Sequence, residues 1–156
     1  MPLLGVIFYF HKTPRFIPKP LQNAKVFSIV ILTIILPILL FFLLRTINKV
    51  DTIYLKSTKE RLIPLFINCI IIALILMRVL TPNEIIELYY FFLGILCSTI
   101  ACFIMAFFKV KASIHMIAAS GFFMFAVALA IHFKVNINGT IALMCIILGA
   151  IATSRL

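Results

Sequence analysis

The sequence predicts an all-α fold, a multi-pass transmembrane helical bundle of about five spanning helices that forms a single membrane domain over residues 1–156. Apolar residues make up 65% of the chain and charged residues 12%, whereas soluble domains average roughly 45–50% and about 25%. The mean hydropathy is +1.27. Five apolar runs also approach the roughly 20 residues that a helix needs to cross a bilayer. A soluble chain of this composition would expose a large apolar surface, which lipid would cover.

Residues 1–25 are predicted to form a basic, irregular lead-in at the membrane interface. The apolar run from Leu3 to Phe10 is too short to span a bilayer. It follows no basic residue and precedes no small-residue cleavage site, so it does not fit a signal peptide. The basic residues of this lead-in, which prolines interrupt, are His11, Lys12, Arg15, Lys19 and Lys25.

The apolar runs predict where the spanning helices lie. Pro37 predicts a kink in the first span, and Pro64 is expected in the first turn of the second, where its missing N–H costs little. Thr81-Pro82-Asn83-Glu84 has the pattern of a capping box and predicts the start of the third span. The predicted spans cover about 26–44, 62–80, 82–108, 116–133 and 140–153.

Successive spans alternate in direction, so three segments are expected on one side of the membrane: 45–61, 109–115 and 154–156. We call this side the site face. It carries an excess of basic residues, but so does the other side. The positive-inside rule therefore places the site face in the cytoplasm by a small margin only, and the orientation stays open.

The site face combines basic residues with two predicted helix starts. Arg61 precedes the second span, Ser113 and His115 precede the fourth, and Ser154-Arg155 follows the fifth. Helix N-termini carry unpaired N–H groups and partial positive charge, which favour an anion. The pattern therefore predicts a phosphate pocket at the membrane surface. In the alternative interpretation, the basic residues only anchor helices at the headgroups and the serine caps a helix.

Three short motifs on the site face carry a family resemblance. Ala112-Ser113-Ile114-His115 is similar to Pro-Ser-Gly-His, and Ser154-Arg155 is similar to the opening of Ser-Arg-x5-His-x3-Asp. The stretch from Lys56 to Pro64 is similar to Lys-x6-Arg-Pro. In type and order these motifs resemble those of the type-2 phosphatidic acid phosphatases. These membrane enzymes remove phosphate from lipid phosphates and diphosphates.

The resemblance implies a role for each matching residue. Arg61, Ser113 and Arg155 would bind the phosphate oxygens, together with Ser154 and a lysine, either Lys56 or Lys59. His115 would be the general acid that protonates the leaving lipid oxygen. The family's nucleophile is the histidine of the third motif, so the mechanism would pass through a phosphohistidine. No cofactor and no metal site is predicted. The resemblance further suggests an extracytoplasmic site face in a cell membrane.

The chain departs from the family pattern in three places. Lys56 and Arg61 are five residues apart instead of seven, while Ala112 and Ile114 replace the proline and glycine of the second motif. The sequence given ends at Leu156, one residue after Ser154-Arg155 and before the nucleophilic histidine of the third motif. By parity His115 is the only histidine on the site face. We therefore expect residues 1–156, as a fragment or a relict, to bind lipid phosphates without turnover.

A non-enzymatic membrane protein is the competing hypothesis: a helper, a lipid-binding subunit or a small transporter. In either case the expected partners are membrane lipids, with a lipid phosphate or diphosphate as the specific ligand. Nucleic acid is not an expected partner, because the basic residues lie in short loops between apolar runs and do not form one stripe. The oligomeric state is left open.

Overall fold

The computed structural model describes residues 2–14, 16–46, 58–80, 85–108 and 113–154, except for the side chains of residues 41, 44, 45 and 58–61. Every regular element within these ranges is a helix, which confirms the predicted all-α fold. A π-helical segment, Ile31–Ile35, joins α2 to α3. The α-helices are α1 (Pro2–Lys12), α2 (Lys19–Val30), α3 (Leu36–Thr46), α4 (Thr58–Arg78), α5 (Ile86–Phe107), α6 (Ile114–Phe133) and α7 (Asn138–Thr153).

Three helical stretches of the described chain are long and apolar enough to cross a membrane: Lys19–Leu40, Ile86–Phe107 and Ile114–Phe133. Two further apolar helices, Leu62–Arg78 and Asn138–Thr153, are shorter. At a rise of 1.5 Å per residue, Asn138–Thr153 is about 24 Å long. The hydrocarbon core of a bilayer is about 30 Å thick.

The first long helix begins earlier than predicted. Pro18 is in an extended conformation (φ −54°, ψ 130°), and α2 starts at Lys19 with Pro20 in its first turn. Proline suits this position because the N–H groups of the first turn have no helical partner. Lys19 and Lys25 therefore belong to a helix, although the sequence predicted an irregular lead-in up to residue 25.

The kink predicted at Pro37 coincides with a change of helix type. Pro37 lacks an N–H group, and its ring crowds the carbonyl of Thr33, four residues earlier. A π-helical segment lies just before Pro37, and at its end the N–H of Leu36 donates to the carbonyl of Ile31, five residues back. Local π-helical turns are a known way to absorb such a disturbance.

The boundaries of α4 and α5 also differ from the predicted ones. The second predicted span starts at 62, but α4 already begins at Thr58, so Pro64 lies inside the helix and not in its first turn. The third predicted span starts at 82, but Ile85 is extended (φ −137°, ψ 81°) and α5 begins at Ile86. The predicted capping box at 81–84 lies outside the described residues.

Neighbouring helices of the second half run antiparallel. The ring of Phe66, early in α4, lies 6.1 Å from that of Phe103, late in α5. Glu87 in the first turn of α5 meets His132 in the last turn of α6. Four residues separate α6 from α7, and the two helices pack together, as expected for an antiparallel pair. The starts of α4 and α6 and the end of α7 therefore lie at one end, the predicted site face.

The opposite end of the bundle, which we call the α1 face, comprises α1, the first half of α2, the end of α4, the start of α5 and the end of α6. Most of the apolar core lies here. Val6 and Tyr9 of α1 are fully buried, as are Ile75, Leu80 and Phe92 of the α4–α5 hairpin. The Phe91 and Phe125 rings stack at 4.2 Å between α5 and α6. The helix expected at the interface thus packs into the bundle.

Candidate functional site

The structure describes only part of the predicted phosphate site. The backbones of Lys59 and Arg61 lie in the first turn of α4, but their side chains are outside the described part of the chain. Lys56 and Arg155 lie outside it altogether. The described site-face residues are Ser113, His115 and Ser154.

Ser113 immediately precedes α6, at the position where a serine usually caps the helix. Its backbone is extended (φ −83°, ψ 99°), as capping requires, but its side chain makes no capping hydrogen bond. The Ser113 Oγ atom is buried and has no hydrogen-bond partner among the described residues. Leaving a buried hydroxyl unsatisfied costs about 1–3 kcal/mol, so a ligand oxygen that reached Ser113 would recover this energy.

His115 and Ser154, the other two described residues of the predicted site, are both exposed but differ in their hydrogen bonding. The His115 imidazole, in the first turn of α6, is exposed. Ser154, just beyond α7, is also exposed, but its Oγ donates to the carbonyl of Ile151 at 2.9 Å. Its hydroxyl proton is therefore committed within its own helix end. Together these residues could offer one hydroxyl and one imidazole to an anion near the start of α6.

A second polar cluster, not predicted from the sequence, lies at the α1 face. The Tyr9 hydroxyl donates to Glu87 Oε2 at 3.0 Å, which ties α1 to the first turn of α5. His132 Nε2 lies 3.6 Å from Glu87 Oε1 and adds α6 to the cluster. The Glu87 side chain is 12% exposed and that of His132 is 63% exposed. Three helices thus converge on one carboxylate.

Lys25 adds a buried cation to the same face. The residue is only 5% exposed, and its Nζ atom donates to the carbonyl of Val79 at 3.2 Å, just past the end of α4. Carbonyls at a helix C-terminus carry partial negative charge and accept such bonds well. The contact therefore joins α2 to the α4–α5 hairpin.

The sequence did contain a signal for this cluster. Glu87 is the only acidic residue within the described helices α5, α6 and α7, and His132 lies at the end of an apolar run. Ionisable residues within apolar helices are costly and usually face a partner. Parity places His132 opposite the site face, but its contact with Glu87 depends on how α6 packs against α5.

No protein-family model, no curated protein and no solved structure matches the chain. Within its described residues the fold is all-helical, with three helices long and apolar enough to span a membrane.

Proposed function

We propose that this protein is a multi-pass membrane protein that binds the phosphate of a lipid phosphate or diphosphate at its site face. It would do so in the manner of the lipid phosphatases and phosphotransferases that it resembles. The observation that carries the proposal is the buried hydroxyl of Ser113 at the start of α6, which has no hydrogen-bond partner among the described residues. A phosphate oxygen would accept its proton and also meet the free N–H groups of the first helical turn.

Membrane embedding is supported by the apolar surface of the bundle. Large apolar side chains are exposed along several helices, among them Phe42, Met77, Ile131 and Ile146. In water such a surface would aggregate, whereas acyl chains would cover it. In this proposal α4 and α7 cross the bilayer beside the three helical stretches that meet the length and hydropathy of a membrane span, which makes five crossings of a cell membrane.

Each predicted site residue has a part in this scheme. Arg61 and Arg155, with Lys56 or Lys59, neutralise the phosphate charge, because a guanidinium offers donors to two oxygens at once. His115, the histidine that parity assigns to the site face, would protonate a leaving lipid oxygen. The sequence has two further histidines, His11 and His132, and both lie at the α1 face. Residues 1–156 thus offer an acid without a second histidine to attack phosphorus, so we expect binding without turnover.

Two observations favour a non-enzymatic lipid-binding protein as the second candidate. Ser113 Oγ is closed off from solvent, so a phosphate would reach it only after the surrounding atoms move. Ser154 Oγ already donates within its own helix end. If both hydroxyls serve only the local backbone and packing, the basic residues of the site face meet headgroups and no specific phosphate pocket exists.

The test compares two serines of α6. Ser113→Ala removes the unpartnered hydroxyl, while the control Ser120→Ala removes an exposed hydroxyl that donates to the carbonyl of Ile117 at 3.1 Å. We expect Ser113→Ala to weaken binding of phosphatidic acid or vanadate by roughly 3–10-fold, and Ser120→Ala to leave it unchanged. The stability of the unliganded protein should not fall in Ser113→Ala, because an unsatisfied group is removed.

Arg61→Ala provides the second arm of this experiment. The loss of charge-assisted hydrogen bonds should cost about 1.5–3 kcal/mol of binding free energy. Binding is measured by isothermal titration of the purified protein in phosphate-free detergent micelles, and phosphate release from phosphatidic acid is assayed in parallel. Equal binding by the wild type and both variants would favour the second candidate. Phosphate release by residues 1–156 that persists in His115→Ala would refute the proposed mechanism.

A further inference from the structure

Exposed basic residues lie at the α1 face, and within the described part of the chain no carboxylate is exposed beside them. They include His11, Lys12, Lys19, Arg78 and Lys134, and each of these residues is exposed. His11 and Lys12 end α1, Lys19 begins α2, Arg78 ends α4, and Lys134 directly follows α6. We call these five residues the basic collar.

Contacts between helices place the collar at one end of the molecule. Lys134 lies two residues after His132, which meets Glu87 of α5, and Glu87 in turn accepts from Tyr9 of α1. Arg78 adjoins Val79, whose carbonyl accepts from Lys25 of α2. Four helices thus bring their basic ends to the α1 face.

The acidic group that could neutralise the collar is withdrawn from the surface. Glu87 is 12% exposed and is occupied by Tyr9 and His132. The remaining carboxylate near this face in the sequence, Glu84, lies outside the described residues, as does the basic Arg15. Among the described residues of this face, Glu87 and Lys25 are therefore withdrawn from the surface, while the five residues of the collar are exposed.

An exposed aromatic residue lies within the collar. Phe16, between Lys12 and Lys19 in the chain, is 93% exposed, and Leu4 and Ile7 of α1 are about half exposed. Exposed apolar groups beside cations suit the boundary between acyl chains and headgroups, where the apolar part enters the hydrocarbon and the cations stay at phosphate depth. Free phosphate or a soluble anion would use only the cations.

We infer that the α1 face is a binding surface for anionic lipid headgroups, separate from the phosphate site proposed at the site face. The basic collar attracts the lipid phosphates, and Phe16 with the outer face of α1 enters the acyl region beneath them. Basic residues near an anionic membrane surface each strengthen binding by roughly fivefold. The surface recognises the negative charge of the headgroup and its depth in the membrane, and it breaks no bond of the lipid.

The test measures how strongly the protein enriches an anionic lipid around itself. Wild-type protein is equilibrated in mixed micelles with equal amounts of phosphatidylglycerol and phosphatidylcholine, and the lipids that remain bound are counted by native mass spectrometry. We expect phosphatidylglycerol to be enriched several-fold, and less so at 0.5 M salt, because exposed charges are screened.

Two triple variants with the same change of charge identify the face responsible. Lys12→Gln, Lys19→Gln and Lys134→Gln together should remove most of the enrichment. The matched control carries Arg45→Gln, Lys109→Gln and Lys111→Gln, which the sequence assigns to the site face, and should keep most of the enrichment. A third protein, with arginine at positions 12, 19 and 134, retains the charge and should bind as the wild type does.

Several outcomes would overturn the inference. One is a wild type without enrichment, and another is an equal loss in both glutamine variants, which would indicate a response to net charge alone. Loss in the arginine variant would indicate that the lysines act through folding. Because Ser113→Ala leaves the collar intact, it should retain full phosphatidylglycerol enrichment even if it loses binding at the site face. The two proposals can therefore fail separately.

Discussion

The α1 face and the site face of the same bundle differ in how tightly they pack. At the α1 face, five helices share one apolar core, and three of them also converge on Glu87. Toward the site face, the described segments 62–70, 114–124 and 146–153 contain no buried residue. Among the described residues there, α5 contributes the buried Thr99, Cys102 and Ala106.

Because of this difference, the two faces should differ in local stability and in how easily their helices rearrange. Cooperative stability follows the density of buried contacts, and regions with few such contacts open most easily. The α1 face should therefore hold the bundle together, while the helix ends of the site face can shift. A shift of this kind is what a ligand would require to reach the enclosed hydroxyl of Ser113.

The largest expected effect contrasts two phenylalanines of α5. Phe92 is fully buried at the α1 face, whereas Phe107 at the other end is 69% exposed. Phe92→Ala should lower the free energy of unfolding by about 3–5 kcal/mol, because it leaves a cavity in the core. Phe107→Ala should change it by less than about 1 kcal/mol. Unfolding with SDS in mixed micelles, followed by circular dichroism, measures both, and similar losses would contradict the contrast between the two faces.

A smaller effect is expected from breaking the link between α1 and α5. Tyr9→Phe keeps the buried ring and removes only the hydroxyl that donates to Glu87. The loss of a hydrogen bond to a charged group should cost about 1.5–3 kcal/mol. Tyr90→Phe on α5 is the control, because Tyr90 is 62% exposed.

Proteolysis distinguishes this local effect from a general one. If α1 is held mainly by this bond, Tyr9→Phe should expose residues near Thr13 to a protease more than it lowers global stability. Unchanged cleavage together with unchanged unfolding would mean that the apolar contacts of Val6 and Tyr9 hold α1 without the hydrogen bond.

The smallest effect concerns the close approach of α1 to α5. A Cβ atom added at Gly5 would overlap the Phe91 ring, whereas one added at Gly94 would meet nothing within 4 Å. Gly5→Ala should destabilise by about 1–3 kcal/mol, because Phe91 is packed against Phe125 and can move little. Gly94→Ala should be neutral or stabilise by about 0.5–1 kcal/mol. A stabilising Gly5→Ala, measured by the same SDS unfolding, would show that α1 can move away at little cost.

The sequence predicted the all-helical fold because apolar run length is a local property that needs no knowledge of neighbours. The helix limits were less predictable. The prolines of the lead-in predict an irregular segment, but in the structure Pro18 directly precedes α2 and Pro20 lies in its first turn. Lys19 and Lys25 therefore belong to this helix. The π-helical segment likewise depends on how the chain relieves the crowding at Pro37.

Of the candidate site, the sequence predicted Ser113 and His115 just before the fourth span. In the structure Ser113 precedes α6, whereas His115 lies within its first turn. The sequence could not predict that Ser113 Oγ is buried without a partner among the described residues, because that depends on atoms packed around it. The phosphate-binding roles of Arg61 and Arg155 stay predictions. The cluster at the α1 face was missed because the contact of Lys25 with the Val79 carbonyl joins residues 54 positions apart in the chain.

That separation has a consequence for biogenesis. Lys25 leaves the ribosome well before Val79, and Tyr9 precedes Glu87 by 78 residues. An ammonium group cannot be buried in an apolar core at acceptable cost until its partner is present. Lys25 of α2 would therefore be buried only after the α4–α5 hairpin has formed. The N-terminal helix α1, although made first, could bond to Glu87 only after α5 is in place.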